Sequence, residues 1–362
     1  MVSKMNKIWI LGAGQLGAML KHAAQPLNIE VRPVETDETD TFDIATNDII
    51  TVEREHWPVT PATEQLTQHS SFLNGPALAQ LADRASQKKL LDSLGLATAP
   101  WVDVKQGHSA EQLFAELGER VLLKQRSGGY DGKGQHWLKL SGNAEQRAIP
   151  QDWLDHCIAE QAIGFDEEVS LIGMRHANGD TAFYPLAINQ HHEGILLATV
   201  SPVASKASLQ GQAENMLGKL MDSLDYVGVM TMECFQVGDK LLINEIAPRV
   251  HNSGHWTQAG SSLSQFEAHI RAVADLPLVQ PLVKTQSVML NLIGVEYNHQ
   301  WLCVPGVEVF WYGKDVRPGR KVGHINISIA ERSQLLASLA NLEPLMTPVY
   351  ADAIAWLIKH LD

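Results

Sequence analysis

The segment Lys124-Gln125-Arg126-Ser127-Gly128-Gly129-Tyr130-Asp131-Gly132-Lys133-Gly134-Gln135 restricts the fold more than any other. It packs four glycines into the seven residues 128–134. Glycine loses more backbone freedom on folding than any other residue, so such a run is costly inside a helix or strand. It reads instead as a connection between two strands, Val121–Gln125 and Gln135–Leu140. A plain hairpin turn needs only two such residues. The surplus makes a mobile flap with many free backbone amides, and a nest of amides suits phosphate oxygens. Lys124, on the strand before the flap, is placed to hold phosphates as a point charge. The pattern G-x-x-x-x-G-K-[ST] is absent, so this is not a Walker loop.

A pair of acids sets the second constraint. Glu233 and Glu245 fall on successive expected strands, Val229–Val237 and Leu241–Ile246. Side chains alternate along a strand, so loop length decides whether the two share a face. A three-residue loop, Gly238-Asp239-Lys240, sets them directly opposite, whereas a two-residue loop sends them to opposite faces. Facing carboxylates repel. In the apolar setting of these strands, a hard cation offsets that repulsion. Magnesium, with oxygen ligands and substrate phosphates, is the best match. Asn244 precedes the second ligand. The plainer reading is two solvent-facing acids on an edge hairpin.

The stretch Ala247–Thr257 follows this strand directly. Arg249 is suited to neutralise phosphoryl charge, and His251 and His255 are suited to move protons, with Asn252 and Ser253 between them. Further on, Arg317–His324 brings Arg317, Arg320 and Lys321 around a turn. The chain as a whole has a net charge of −13. That balance argues against nucleic acid as a partner and makes a local basic cluster a candidate second phosphate site.

Near the N-terminus, Gly12-Ala13-Gly14-Gln15-Leu16-Gly17 is a G-x-G-x-x-G between an apolar strand, Ile8–Leu11, and a helix over Gln15–Gln25. Glycines there let a phosphate approach the helix N-terminus. Glu35 ends the next expected strand, where a dinucleotide fold places its ribose-binding acid. The same residues also make an ordinary tight strand-to-helix turn.

The organisation around these motifs is α/β followed by α+β. Residues 1–97 alternate strands and helices in the order of a parallel, doubly wound sheet, with a helix expected from Ala77 to Leu94. Thr98-Ala99-Pro100 reads as a linker. Residues 98–275 are richer in strands, among them Cys157–Gln161, Glu168–Met174 and Thr181–Ile188, with helices near Gln210–Leu224 and Ser264–Ala274. Residues 276–362 read as a small third domain with strands Val288–Ile293, Val307–Tyr312 and Lys321–Ile327 and two terminal helices. No apolar run approaches the roughly 20 residues that span a bilayer. Cys157, Cys234 and Cys303 are too scattered for a disulfide framework or a zinc site, so a reducing cytoplasm is expected.

With these residues in view, the chain resembles the ATP-grasp superfamily, and within it the PurK-type 5-(carboxyamino)imidazole ribonucleotide synthetases. The resemblance covers essentially the whole chain. It rests on Leu11–Gly17, Gly128–Gln135, Asn244–Thr257 and Arg317–His324, of which the last two are the most specific. It implies an ATP-grasp fold with a Rossmann-like N-terminal domain and a small C-terminal domain, and a homodimer. It implies a reaction of ATP, bicarbonate and 5-aminoimidazole ribonucleotide that yields the carbamate, ADP and phosphate. By the same resemblance Arg84, Lys124 and the flap residues Gly129, Tyr130, Asp131, Gly132, Lys133, Gly134 and Gln135 contact ATP. Glu160, Gln161, Ala162 and Ile163 lie along the adenine, Glu168 binds the ribose, and His191 and Asn244 complete the nucleotide side. Glu233 and Glu245 match the magnesium ligands. Gln15, Leu16, Glu53, Asn252, Ser253, Arg320 and Lys321 fall where the family binds the ribonucleotide, and Lys124, Arg249 and His251 are the catalytic candidates. One departure is Thr51-Val52-Glu53-Arg54-Glu55, where Arg54 replaces the usual apolar residue. Other ATP-grasp ligases, an NAD-dependent oxidoreductase built on Gly12–Gly17, and a non-catalytic nucleotide-binding module are the competing readings.

Overall fold

The computed structural model describes residues 7–129 and 132–361, so Tyr130 and Asp131 lie outside the described residues. Among these residues the strands form three sheets. The first is parallel, in the order β2-β1-β3, from β1 (Ile8–Leu11), β2 (Val31–Val34) and β3 (Ile49–Val52). Helix α1 (Gln15–Ala24) follows β1, and α2 (Pro61–Gln68) starts at a capping box between Thr60 and Thr63.

The helix expected over Ala77–Leu94 is two helices, α3 (Gly75–Ala82) and α4 (Arg84–Ser93). Asp83 breaks it, extended at φ −100° and ψ 117°. Its carboxylate accepts from the Ser86 amide at 2.8 Å and from Arg126 at 2.8 and 2.9 Å. An aspartate at an N-cap satisfies amides that a continuous helix would use internally. The apolar spacing is the same in either case, which is why periodicity did not reveal the break.

The second sheet runs β4-β7-β5-β6, all antiparallel, from β4 (Trp101–Asp103), β5 (Arg120–Gln125), β6 (Gln135–Lys139) and β7 (Cys157–Gln161). Helix α5 (Ala110–Leu117) covers it and closes a separate small core. The glycine segment joins β5 to β6, as expected.

The third sheet has nine strands: β8 (Glu167–Arg175), β9 (Thr181–Phe183), β10 (Ala187–His192), β11 (Ile195–Ser201), β12 (Gly228–Val237), β13 (Lys240–Ala247), β14 (Ser287–Ile293), β15 (Val307–Trp311) and β16 (Lys321–Ser328). Its order is β13-β12-β8-β10-β11-β14-β16-β15, with β9 paired to β8. The single strand expected over Thr181–Ile188 is divided at Pro185, which has no amide to donate. The C-terminal strands have no sheet of their own, because β14 pairs with β11 from Ala198↔Leu290 to Ser201↔Ser287. Nor is the expected linker detached: Thr98 bridges Ile243, whose amide donates to Ala97 at 2.8 Å.

Helices α6 (Ala207–Ser223), α9 (Arg332–Leu342) and α10 (Val349–His360) bury one face of the large sheet in the main core. On the other face the short α7 (Thr257–Gly260) and α8 (Gln265–Val273) follow β13, and a second core joins α8 and α1 to Ile172, Met174 and Val229. The parallel sheet is thereby docked against the large one. Among the described residues no helix is long and apolar enough to cross a membrane.

Candidate active site

The two acids do face each other, Glu233↔Glu245, though not by the route expected. Val237 pairs with Lys240, so the loop has two residues, Gly238 and Asp239. On loop length alone the acids would part to opposite faces. A register shift corrects this: Cys234 pairs with Ile243 while Glu233 pairs with Glu245, leaving Asn244 as the extra residue of a bulge. The freed Asn244 accepts a hydrogen bond on Oδ1 from Lys124 Nζ at 2.9 Å. Leaving Asn244 out of the ladder therefore keeps the acids aligned and lets its side chain tie the large sheet to β5.

Lys124 is buried and also ion-pairs with Glu160 of β7 at 2.6 Å. Lys88 of α4 pairs with the other oxygen of Glu160 at 2.8 Å. Burial alone raises a carboxyl pKa, but the two lysines outweigh it and hold Glu160 at about 2. Arg84 begins α4, donates to the carbonyls of Gln125 at 2.9 Å and Gly129 at 3.0 Å, and lies 3.5 Å from Glu245. It thus fastens the root of the flap to the second acid. Gly128, Gly132 and Gly134 have φ of 78°, 74° and 68°, the left-handed region that favours glycine.

Glu233 is short of a counter-charge. Its Oε1 is buried without a hydrogen-bond partner among the described residues, and His251 Nδ1 is 3.6 Å away. Burial, only partly offset by His191 and reinforced by Glu245 and Glu168, pushes its pKa up to about 7. Two facing carboxylates with an orphaned oxygen fit a divalent cation completed by phosphate oxygens. Among the described residues no cluster of three or more His, Cys, Asp or Glu forms a complete protein cage. Beside this pair, His191 Nδ1 lies 2.9 Å from Glu168 Oε2. Burial opposes charging of His191, but Glu168 and then Glu233 prevail and raise its pKa.

His251 Nδ1 accepts from the Ser253 amide at 3.3 Å and lies 3.0 Å from the Ser253 hydroxyl. Burial and then Arg249 push its pKa well down, so the ring is neutral. An Nδ1 that accepts from an amide leaves the proton on Nε2, a tautomer assigned from the hydrogen-bond pattern. The ring therefore offers a donor. Arg249 is held by Glu55 at 3.1 Å, and burial raises the Glu55 pKa by more than Arg249 lowers it.

Residues 89–266 match the family model of the ATP-grasp domain, and residues 287–338 match the phosphoribosylaminoimidazole carboxylase C-terminal domain. The N5-carboxyaminoimidazole ribonucleotide synthase of Escherichia coli is 48% identical over 352 residues, covering 97% of this chain and 98% of that protein. The chain belongs to the N5-carboxyaminoimidazole ribonucleotide synthase family. The Haemophilus influenzae synthase is likewise 48% identical and covers 98% of this chain and 97% of its own length. The crystal structure of the Thermus thermophilus synthetase superposes with a TM-score of 0.83 at 37% identity, covering 94% of this chain and 99% of that one. The Aspergillus clavatus synthase, in complex with ADP and 5-aminoimidazole ribonucleotide, superposes with a TM-score of 0.79 at 25% identity, covering 97% and 99%.

In this synthase-family chain the N-terminal glycine turn is not an open phosphate cradle. Glu53, buried at the end of β3, accepts from the Gly14 amide at 2.5 Å and from the Gly17 amide. A Cβ on Gly12 would lie 2.3 Å from Glu53 Cγ, and one on Gly14 would lie 2.8 Å from Oε1. The carboxylate occupies the amides that a dinucleotide phosphate would need, and Glu35 is exposed beyond β2. The oxidoreductase reading and the phosphate reading of this turn both fail on that geometry. Gln15 instead accepts from Lys314, a half-buried residue with Arg320, Lys321 and Glu53 in its field.

Lys314 and Lys88 were both missed from sequence. Lys314 stands three residues before the basic cluster, and Lys88 one helical turn after Arg84. Lys321, which opens β16, acts electrostatically on Glu233, His191 and His251 alike, so the basic turn and the acid pair share one site. Arg320 and Arg317 lean on Asp315, at 3.8 and 3.2 Å. Both polar side-chain atoms of Asn252 are buried without a partner among the described residues, whereas Ser253 sits fully buried behind His251. Leu16 packs against the second core. Gln161 and Ala162 leave β7 through backbone bonds to Pro100 and Arg120, and Ile163 follows half-buried.

Proposed function

We propose that this chain catalyses the ATP-dependent carboxylation of 5-aminoimidazole ribonucleotide by bicarbonate, through carboxyphosphate, with release of ADP and phosphate in purine biosynthesis. The observation that carries the reading is the bulged Glu233–Glu245 pair, flanked by Lys124 and the glycine flap on one side and by Lys321 with Lys314 on the other. Membership of the synthase family and the two ligands of the Aspergillus clavatus relative support it.

ATP lies between the second and third sheets, its phosphates on Lys124, Arg84 and the amides of Gly129 and residues 132–135, its ribose on Glu168 and His191. Glu233 and Glu245 would hold magnesium, which when bound supplies positive charge shared between phosphate oxygens. Glu55 fixes Arg249 so that its guanidinium faces bicarbonate. A bicarbonate oxygen attacks the terminal phosphorus, and the bond to ADP breaks. The transition state spreads charge over phosphoryl oxygens, so positioned cations and donors do most of the catalysis. Neutral His251 donates from Nε2 to an oxygen of the carboxyphosphate. The ribonucleotide, its phosphate on Lys314, Arg320 and Lys321 and its ring near Gln15 and Asn252, then attacks the carboxyl carbon through its amine, and phosphate leaves, taking up the proton the amine gives up. No nucleophilic side chain is required. The enzyme works as a homodimer in the cytoplasm, a setting that fits its three free cysteines.

The test is ADP release with each substrate omitted in turn. Release should need both bicarbonate and the aminoimidazole ribonucleotide for full rate. Release indifferent to both would sink the assignment in favour of another ATP-grasp reaction.

A further inference from the structure

Lys88 belongs to none of the motifs above, yet it completes a line of three buried charges. Lys88, Glu160 and Lys124 expose 3%, 5% and 8% of their side chains, and the lysines grip opposite oxygens of one carboxylate at 2.8 and 2.6 Å. For folding, one lysine would suffice to satisfy Glu160. A second buried ammonium is costly unless its charge serves a purpose. Lys124 has one: it is also bonded to Asn244 in the bulge beside Glu245. Paired with Glu160 alone, Lys124 would belong to a neutral couple. With Lys88 present the three groups sum to one positive charge, and Lys124 is the member bonded into the bulge beside the acid pair. Lys88 follows Arg84 by four residues on α4, so the two leave the helix on one face.

We propose that Lys88 is a positioning residue for the nucleotide site: it neutralises Glu160 from behind, so that Lys124 presents uncompensated positive charge to the phosphates. This rests on the ATP reading of the site given above. Lys88 touches no substrate. It acts only through Glu160 and Lys124.

The experiment measures ADP binding by titration calorimetry with magnesium, and KM for ATP against kcat, in four proteins. Lys88→Met should weaken ADP binding and raise KM for ATP by about tenfold, with kcat changed less, because the lost charge acts on the bound nucleotide in ground and transition state alike. Lys88→Met with Glu160→Gln restores the net charge and should bind ADP more tightly than Lys88→Met alone, though short of wild type because Glu160 itself lies in the nucleotide site. Lys88→Arg keeps the charge and should stay within about threefold of wild type in both values. A purely structural lysine makes the opposite forecast, since the double variant removes both partners and would be no better than the single one. A double variant as weak as Lys88→Met overturns the proposal. So does an Arg variant that binds ADP markedly more weakly than wild type, a result that stays decisive even if Lys88→Met does not fold. Wild-type protein that fails to bind ADP would overturn the nucleotide reading itself, whereas wild-type binding matched by Lys88→Met would overturn this inference alone.

Discussion

Replacing Glu233 by Gln should stabilise the metal-free protein while it disables the enzyme. Burial, with Glu245 and Glu168 close by, moves the Glu233 pKa from an ordinary 4.5 to about 7. A displacement of that size costs the folded state about 3 kcal/mol once the group is ionised. The side chain keeps 15% of its surface exposed, and water there trims the cost to about 2 kcal/mol. The sign follows from proton counting. Native Glu233 holds its proton to higher pH than the unfolded chain does, so the penalty is absent well below pH 4.5, grows as pH rises, and is complete above about pH 7. Glutamine removes the charge and hence the penalty. Urea unfolding without magnesium or nucleotide should show Glu233→Gln more stable than wild type by about 2 kcal/mol at pH 8, and by less than about 1 kcal/mol at pH 5. Turnover should fall on the order of a hundredfold or more, since one of the two carboxylates that would hold the cation is gone. A variant no more stable than wild type at pH 8, or a gain equal at both pH values, would refute the claim that this carboxylate waits for a cation.

Asn244→Ala keeps the bulge and loses only the Lys124 bond, for a loss of about tenfold in kcat, and deleting Asn244 removes the bulge but leaves Glu245 next after Ile243 and still opposite Glu233, so its kcat should fall to a similar extent. A kcat below about 1% of wild type in the deletion variant alone would mean that the acid pair depends on the bulge itself and not only on its register. Glu53→Gln leaves one acceptor where Gly14 and Gly17 need two, and should destabilise the fold by about 1–3 kcal/mol in urea unfolding; an unchanged midpoint would show that the glycine turn does not depend on this carboxylate.

The parts of this molecule that sequence reveals are those where a residue type admits one backbone solution. Four glycines in a row of seven had to join two strands and could not extend one, and the expected strands carrying Glu233 and Glu245 do form one hairpin. What sequence concealed was decided by single residues with two acceptable states. Asp83 is tolerable inside a helix and better as a cap, and only its bonds to Arg126 and Ser86 choose between them. The Gly12–Gly17 turn offers the same amides to a phosphate or to a carboxylate, and the choice depends on Glu53, which lies 36 residues after Gly17. On a regular hairpin, facing acids require a three-residue loop. The chain uses two residues and inserts the third on the strand, a placement that composition cannot distinguish. Lys88 and Lys314 stood outside any motif because their partners, Glu160 and Gln15, are distant in sequence.

An acidic protein that binds several anions has to concentrate cations without letting them repel one another apart. Here each is tethered by an internal partner: Lys124 by Glu160 and Asn244, Arg84 by backbone carbonyls near Glu245, Arg249 by Glu55, Lys314 by Gln15. Tethering fixes direction before substrate arrives, and it also spends part of each charge. An anion that engages several tethered groups at once gains more from them than one that reaches a single group. In the reaction proposed above, a triphosphate would engage Lys124 and Arg84 together with the cation that Glu233 and Glu245 would hold, and a ribonucleotide phosphate would engage Lys314, Arg320 and Lys321. Bicarbonate has only Arg249 and the Nε2–H of His251 within this scheme. It should therefore bind weakly until the nucleotide is in place, which makes nucleotide first, bicarbonate second the order of addition this geometry favours, readable as a KM for bicarbonate that falls as ATP is raised.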